Sequence, residues 1–499
     1  MARIWPAVSL LAAAAVGNAM LRSARLFLAE QALCRQYYSI HDPTMIAPHD
    51  RVNEEQCKLD GIQADLSMVM GVFEALTLLG GLLGTPLTVR LAPTIGLRKT
   101  IAINMSMMCG AAIYSTIVTL LPEVFNVRMM WLAGLFELVS GGTPTRNALI
   151  YIHLAERISP DALSATLYRL STLLMIMSFI GTSFGAILLA KNVWLLCFLG
   201  VGFCILGLLF VPLLQGRSWL AALPPSTIVA SPYMPIMEDT DTEQITPDDM
   251  ENKPPRVRIQ SLKMVLETTR SEGYQSSQIL VALVQDRVAL LSLLIYFCYE
   301  TAIYIRAVLP QWASKSFAWT LADVNAVTAL QILVNGCVLL SLPYLSKLFL
   351  LPRLSSQRMV DHWTIQFSLI CNIIGVIMIS IAANRWLYII ALGVYNFGAA
   401  LSDSLRSFVT ASLHDEKQIQ KMYTAISMVE ALAGLTGTTL WSTTFAAGMQ
   451  YGGLALARMC FFAAASLFVI SLFMTTALNT ITLEKAPRRT SDSESELAV

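Results

Sequence analysis

About twelve stretches of roughly twenty consecutive, mostly apolar residues recur along this chain, and that recurrence constrains its fold more than any motif does. An α-helix rises about 1.5 Å per residue, so about 20 apolar residues cross a hydrocarbon core of about 30 Å. The windows lie near 6–28, 64–88, 100–121, 128–151, 166–190 and 192–214, then near 286–309, 322–350, 363–383, 386–411, 421–447 and 452–479. Of 499 residues, 55% are hydrophobic and only 13% charged, and the mean hydropathy is +0.60, too apolar for a water-soluble chain of this size. The predicted fold class is an all-α membrane protein with twelve transmembrane helices.

The windows fall into two sets of six. Between them the composition changes abruptly: Pro224, Pro225, Pro232 and Pro235 precede an acidic run from Glu238 to Glu251. This reads as a solvated linker, and a like-charge run is ordinarily a soluble face rather than a binding element. Within it, Val257 to Arg270 fits a short helix on the membrane surface. The expected domains are a six-helix bundle over 1–215, a linker over 216–284, a second bundle over 285–481 and a tail over 482–499. Two such bundles suggest duplication, with lobes rocking about a site near the bilayer midplane.

Basic residues resist translocation and collect on the cytoplasmic side. Arg90, Arg98 and Lys99 follow span two; Lys347, Arg353 and Arg358 follow span eight; Lys417 and Lys421 follow span ten; Lys485, Arg488 and Arg489 follow span twelve. Opposite connections carry single bases such as Arg128, Lys191, Lys315 and Arg385. Both termini and the linker are therefore expected in the cytoplasm, and the polar loop 31–61 on the other side. The first apolar run, through Leu28, is longer than a secretory signal core and reads as a retained helix. Cys34 and Cys57 flank that outer loop, where a disulfide can persist, although spacing alone does not show that the two sulfurs meet.

Several chemistries find no support. Net charge is +1, which gives no footprint for nucleic acid, and the nine cysteines form no C-x-x-C pair or Cys/His cluster for a metal. No P-loop lysine motif is present, so ATP-driven pumping is not expected. Gly181-Thr182-Ser183-Phe184-Gly185 matches the G-x-S-x-G of hydrolases, but it lies mid-span, and small residues letting two helices approach explain it better. Asn104-Met105-Ser106 fits a glycosylation sequon inside a span, out of reach of the transferase. No enzyme activity and no cofactor are expected.

Cys34-Arg35-Gln36-Tyr37-Tyr38, Asp42-Pro43 and Glu54-Glu55-Gln56-Cys57-Lys58 form an outer-loop pattern, and Leu405-Arg406-Ser407 with Tyr423-Thr424-Ala425-Ile426-Ser427 form a second one. In these residues the chain resembles the major facilitator superfamily, and within it a large fungal branch of general substrate transporters. The family's loop between spans two and three reads G-x-x-x-D-R-x-G-R-K. Here Pro93 and Thr94 replace the acid and arginine, while Gly96, Arg98 and Lys99 remain. In the family that acid helps a cytoplasmic latch, so the resemblance implies a weaker latch or an altered cycle. Gly181 and Gly185 give the glycine spacing of the antiporter signature without its proline.

Ionisable side chains inside a span cost about 2.5–3.5 kcal/mol each on insertion scales, so those present face a cavity or a partner. Spans one, four, seven and ten, which line the cavity in the family it resembles, hold Arg22 and Arg25, Glu137 and Arg146, Glu300, and Asp403 with Arg406. Glu74 and Glu430 add acids in spans two and eleven. A desolvated carboxyl group can exchange a proton with solvent, so Glu137, Glu300 and Glu74 are candidates for proton coupling; hydrogen bonding into helix packing is the equal alternative. Asp403 and Arg406, at i,i+3, read as a gate pair. Arg22 and Arg25 read as snorkelling to the interface from the outer end of helix one; turned inward, they favour an anionic substrate. Tyr299 and Tyr304 flank Glu300, and Gln331 and Asn335 sit at i,i+4 on span eight, placed either to orient a solute or to bond helix to helix.

The resulting expectation is a monomeric secondary transporter of a small organic solute, coupled to protons and working by alternating access in a plasma or vacuolar membrane. A lean towards efflux comes from the resemblance. Two alternatives stand beside it: uptake of an organic anion, and a transporter-like receptor or scaffold whose acidic linker recruits partners.

Overall fold

The computed structural model describes residues 4–46, 52–155, 160–214, 287–345, 348, 351–354, 357–412 and 416–485. The expected linker, the surface helix at 257–270 and the tail beyond 485 lie outside the described residues. Every described regular element is helical. Nine helices are long and apolar enough to cross a membrane by composition and length, among the described residues. The shortfall from twelve has a physical cause in each case. Spans four and ten are each broken into two shorter helices. Span eleven, within Glu416–Ala457, is rich in Thr, Ser and Gly. Its hydroxyls stay in the helix because Thr436, Thr439, Thr443 and Thr444 donate to carbonyls four residues back, at 2.7–2.8 Å.

Span one is longer than expected. The helix runs Trp5–His41, so the outer loop begins after residue 41 rather than at 31. Hydropathy fades after Leu28 because the polar residues there are neutralised by the returning chain: Lys58 Nζ lies 2.7 Å from Glu30 Oε1, and Gln63 Nε2 donates to the same oxygen at 2.7 Å. Cys34 and Cys57 are joined by a disulfide and are fully buried, pinning the loop to the helix. At the far end of the chain, spans eleven and twelve meet in a turn at Gly453, where φ is +58°.

Spans one to six pack as one lobe and seven to twelve as another. The second lobe has a single large apolar core built around Trp312, Trp441, Phe445, Phe461 and Phe468. The first has separate clusters. One, with Ala29, Leu33, Leu66 and Val118, lies towards the 42–59 loop; another, with Leu10, Ile101, Leu149 and Leu154, lies at the opposite end. Between these clusters lie the charged residues of the next subsection. The lobes touch along span two against span eleven and span five against span eight. Small residues allow the first contact: a Cβ on Gly71 would stand 2.2 Å from Ser442 Cβ, and Ser67 Oγ donates to the Ser442 carbonyl at 3.0 Å. Gly181 and Gly185 do the same within a lobe, lying against Val16, Ala19 and Ser23 of span one. The G-x-S-x-G string is thus helix packing.

At the 42–59 end, the loop crosses from one lobe to the other. Lys315 Nζ lies 2.9 Å from Asp60 Oδ1 and also donates to the Lys58 carbonyl, while Glu54 accepts from the Leu321 amide. These contacts close that end of the bundle.

Candidate functional site

Three spans break near mid-depth, and each break has a local cause. In span four, Ala133–Ser140 ends at Gly141 (φ +73°) and Gly142 (φ +71°), and Pro144 follows. The break strips carbonyls of their helical donors, and side chains from neighbouring spans replace them. Asn104 Nδ2 donates to the Ser140 carbonyl at 2.6 Å and the Gly142 carbonyl at 3.3 Å. Thr88 Oγ1 reaches the Val139 carbonyl at 3.2 Å, and Thr85 Oγ1 reaches that of Gly141 at 3.3 Å. Irregular backbone at membrane depth is tolerated only when buried and re-satisfied in this way.

Span seven runs Arg287–Ile303, tightens to a 3₁₀ turn over Tyr304–Ala307 and resumes as Leu309–Phe317. Pro310 has no N–H to give the Arg306 carbonyl, which accounts for the break. The Thr301 carbonyl just before it accepts from Trp441 Nε1 at 2.6 Å. Span ten breaks over Phe397–Ala400, between Arg385–Asn396 and Leu401–Ser412. There Gly398 packs so closely on Asn372 that a Cβ would stand 2.3 Å from its Oδ1.

The first lobe's charges gather beside the break in span four. Glu137 Oε2 accepts from Ser140 Oγ at 2.9 Å, and Ser140 Oγ accepts from the Gly142 amide at 2.8 Å, so the carboxylate is tied to the backbone break itself. Arg25 and Arg22 are not at the end of helix one, since the helix continues to residue 41. Arg25 stacks over Phe73, 4.9 Å from the ring centre, with Glu74 and Glu137 as its acidic neighbours. Arg22 lies 3.8 Å from Glu74. Both therefore reach span two rather than snorkelling. Arg146 is buried and bonds Asn147 Oδ1 at 3.3 Å.

In the second lobe Arg406 pairs with Glu430 of span eleven, and Asp403 stands at the 4.0 Å limit with a side chain 72% exposed. The principal ion pair thus joins spans ten and eleven; i,i+3 spacing identified the lesser partner. Glu300 lies within electrostatic reach of Glu430, Arg306 and Arg406. Tyr304 packs against Gly434 and Gly437 and has Glu300, Glu430 and, from the other lobe, Glu74 as charged neighbours. Tyr299 is buried against Phe468 of span twelve, with ring centres 6.0 Å apart, and has Glu300 and Arg306 as charged neighbours. Gln331 Nε2 donates to Asn396 Oδ1 at 3.2 Å; Asn335, one turn further on, is partly buried. Gly96 ends the second helix at φ +92°, and Arg98 and Lys99 are exposed just beyond it. These three lie apart from the central group.

Arg306 is a member of this group that apolar length and helical spacing do not pick out. A lone arginine four residues before a proline inside an apolar, tyrosine-rich window was the available signal.

No protein-family model matches the chain. The efflux pump ustT of Aspergillus flavus is 22% identical over 439 residues, covering 88% of this chain and 81% of that protein. The MFS efflux pump atnC of Emericella nidulans is 22% identical over 448 residues, covering 88% and 80%. The human organic anion transporter MFSD10 superposes with a TM-score of 0.52 over 94% of this chain and 99% of that one, at 15% identity. The chain has the major facilitator fold, and the curated proteins it resembles are fungal transporters of that superfamily.

Its apolar helices and its fungal relatives together make it a multi-pass membrane transporter and not an enzyme. The fold accounts for where its charges sit. Of the spans that carry the central group, four, seven and ten are the broken ones, and in a facilitator bundle backbone released from helical bonding can serve a solute at mid-depth.

Proposed function

We propose that this protein is a secondary active exporter of a small organic solute, coupled to protons and working by alternating access. Its cavity and coupling residues are Glu137, Glu300, Glu74, Arg25, Arg146, Tyr299, Tyr304, Gln331 and Asn335. Arg406, Glu430 and Asp403 form a gate, and Gly96, Arg98 and Lys99 form what remains of the family latch. The observation that carries the reading is the bond from Ser140 Oγ to Glu137 Oε2. A carboxylate tied to the broken backbone of span four can pass a change of charge directly to the hinge. Export agrees with the names of the fungal relatives. Both termini are placed in the cytoplasm and the 42–59 loop outside, in a plasma or vacuolar membrane, so the conformation described is the one closed to the outside. The bundle works as a monomer, and the linker and tail complete the arrangement of two lobes.

Two experiments test this. An untargeted comparison of metabolites inside and outside cells with and without the protein identifies the exported compound. Flux of that compound into sealed vesicles under an imposed pH gradient then tests coupling. Glu137→Gln or Glu300→Gln is expected to abolish the pH dependence while leaving counterflow exchange. Wild-type pH dependence in both variants would contradict the assignment.

A further inference from the structure

The two lobes treat their central arginines differently. Arg25 in the first lobe has two acidic neighbours, Glu74 and Glu137. Arg306 in the second sits on the 3₁₀ turn at the break in span seven and is exposed. Glu300 is its acidic neighbour, and among the described residues no carboxylate forms an ion pair with it. Its guanidinium carbon stands 5.6 Å from the Tyr304 ring centre, a stacking contact that fixes direction without neutralising charge.

Arg306 also lines a cavity between spans seven, eight and ten, together with Trp319, Val327, Thr328, Gln331 and Tyr388. The cavity has a volume of about 50 Å³, room for a carboxylate and a few further atoms in this closed conformation. Its lining combines the polar residues Arg306, Gln331 and Thr328 with aromatic and aliphatic ones. Trp319 and Tyr388 stand edge to face, 5.8 Å apart, at the wall nearer the 42–59 end. At helical rise Arg306 is about 16 Å below Phe317, at a depth where a cation without an ion-pair partner is costly unless an anion is supplied.

We infer that the transported solute is an amphipathic organic anion whose carboxylate is held by Arg306, with an aromatic or other flat apolar body lying against Trp319 and Tyr388. This rests on the transport reading above and adds the substrate's chemical class and the residue that selects it. The fork of a guanidinium matches the two oxygens of a carboxylate, and the Gln331 amide, held by Asn396, is placed to take a further polar group.

The test is equilibrium binding to the purified full-length protein in lipid nanodiscs, with benzoate and its uncharged analogue benzamide as probes. The acid is expected to bind at least tenfold more tightly than the amide. Arg306→Gln should remove that preference, and Arg306→Lys, which keeps the charge without the fork, should retain part of it. The lysine variant also separates loss of charge from loss of folding. Equal binding of acid and amide, binding of neither, or an unchanged preference in Arg306→Gln would overturn the inference. If that happens while pH-driven flux in vesicles persists, the anion assignment alone fails; if flux is absent too, the transport reading fails with it.

Discussion

Gly141 adopts a φ of +73°, and a methyl group added there would stand 2.4 Å from Thr145 Oγ1. Gly141→Ala therefore combines a left-handed backbone with a collision and should cost about 1–3 kcal/mol, read as a fall of several degrees in the melting temperature of the solubilised protein. An unchanged melting temperature would mean that the break in span four is not strained in this way. The pair formed by Arg406 and Glu430 permits a sharper test, since the side chains are only 22% and 12% exposed. A double-mutant cycle on Arg406→Gln and Glu430→Gln should give a coupling energy of at least about 1 kcal/mol, whereas the corresponding cycle on Arg406 and Asp403 should give less. The sequence placed both acids in the right region. It favoured Asp403 only because helical spacing is visible along one segment and contacts between segments are not.

Pro310 shows how much of an element depends on one missing hydrogen-bond donor. Replacing it with alanine restores an N–H for the Arg306 carbonyl, so Pro310→Ala should extend the helix through the 3₁₀ turn. The expected outcome is a higher melting temperature together with slower flux, as stability rises and the hinge stiffens; faster flux would contradict that role. The same elements show what was legible in the sequence. Apolar length identified the windows, because a bilayer imposes a minimum number of oily residues. The breaks at 304–307 and 397–400 left no mark in hydropathy, which records partition and is blind to backbone bonding. The end of helix one was misplaced for a related reason. Glu30 and Gln31 look like loop residues until Lys58, Gln63 and the disulfide between Cys34 and Cys57 fold back onto them. In span four the signal was there in Gly141-Gly142 with Pro144, although only the donors from Thr85, Thr88 and Asn104 show that the break is accommodated rather than merely permitted.

The whole molecule is two lobes joined by two lines of helix contact and strapped together at the 42–59 end by Glu54, Lys58 and Asp60 against Lys315 and Leu321. A transporter with this arrangement must release that strap to expose its centre on the other side, and the Lys315–Asp60 pair, with its carboxylate half exposed, limits the cost of release. Rocking of the lobes is read most simply as a change in the distance between them. Spin labels at Glu55→Cys and Ala383→Cys, with the seven free cysteines replaced, report across the closed end by double electron–electron resonance. In lipid, two distance populations are expected, with a ratio that shifts towards the longer one in Lys315→Ala. A single distance, the same in both proteins, would contradict rocking.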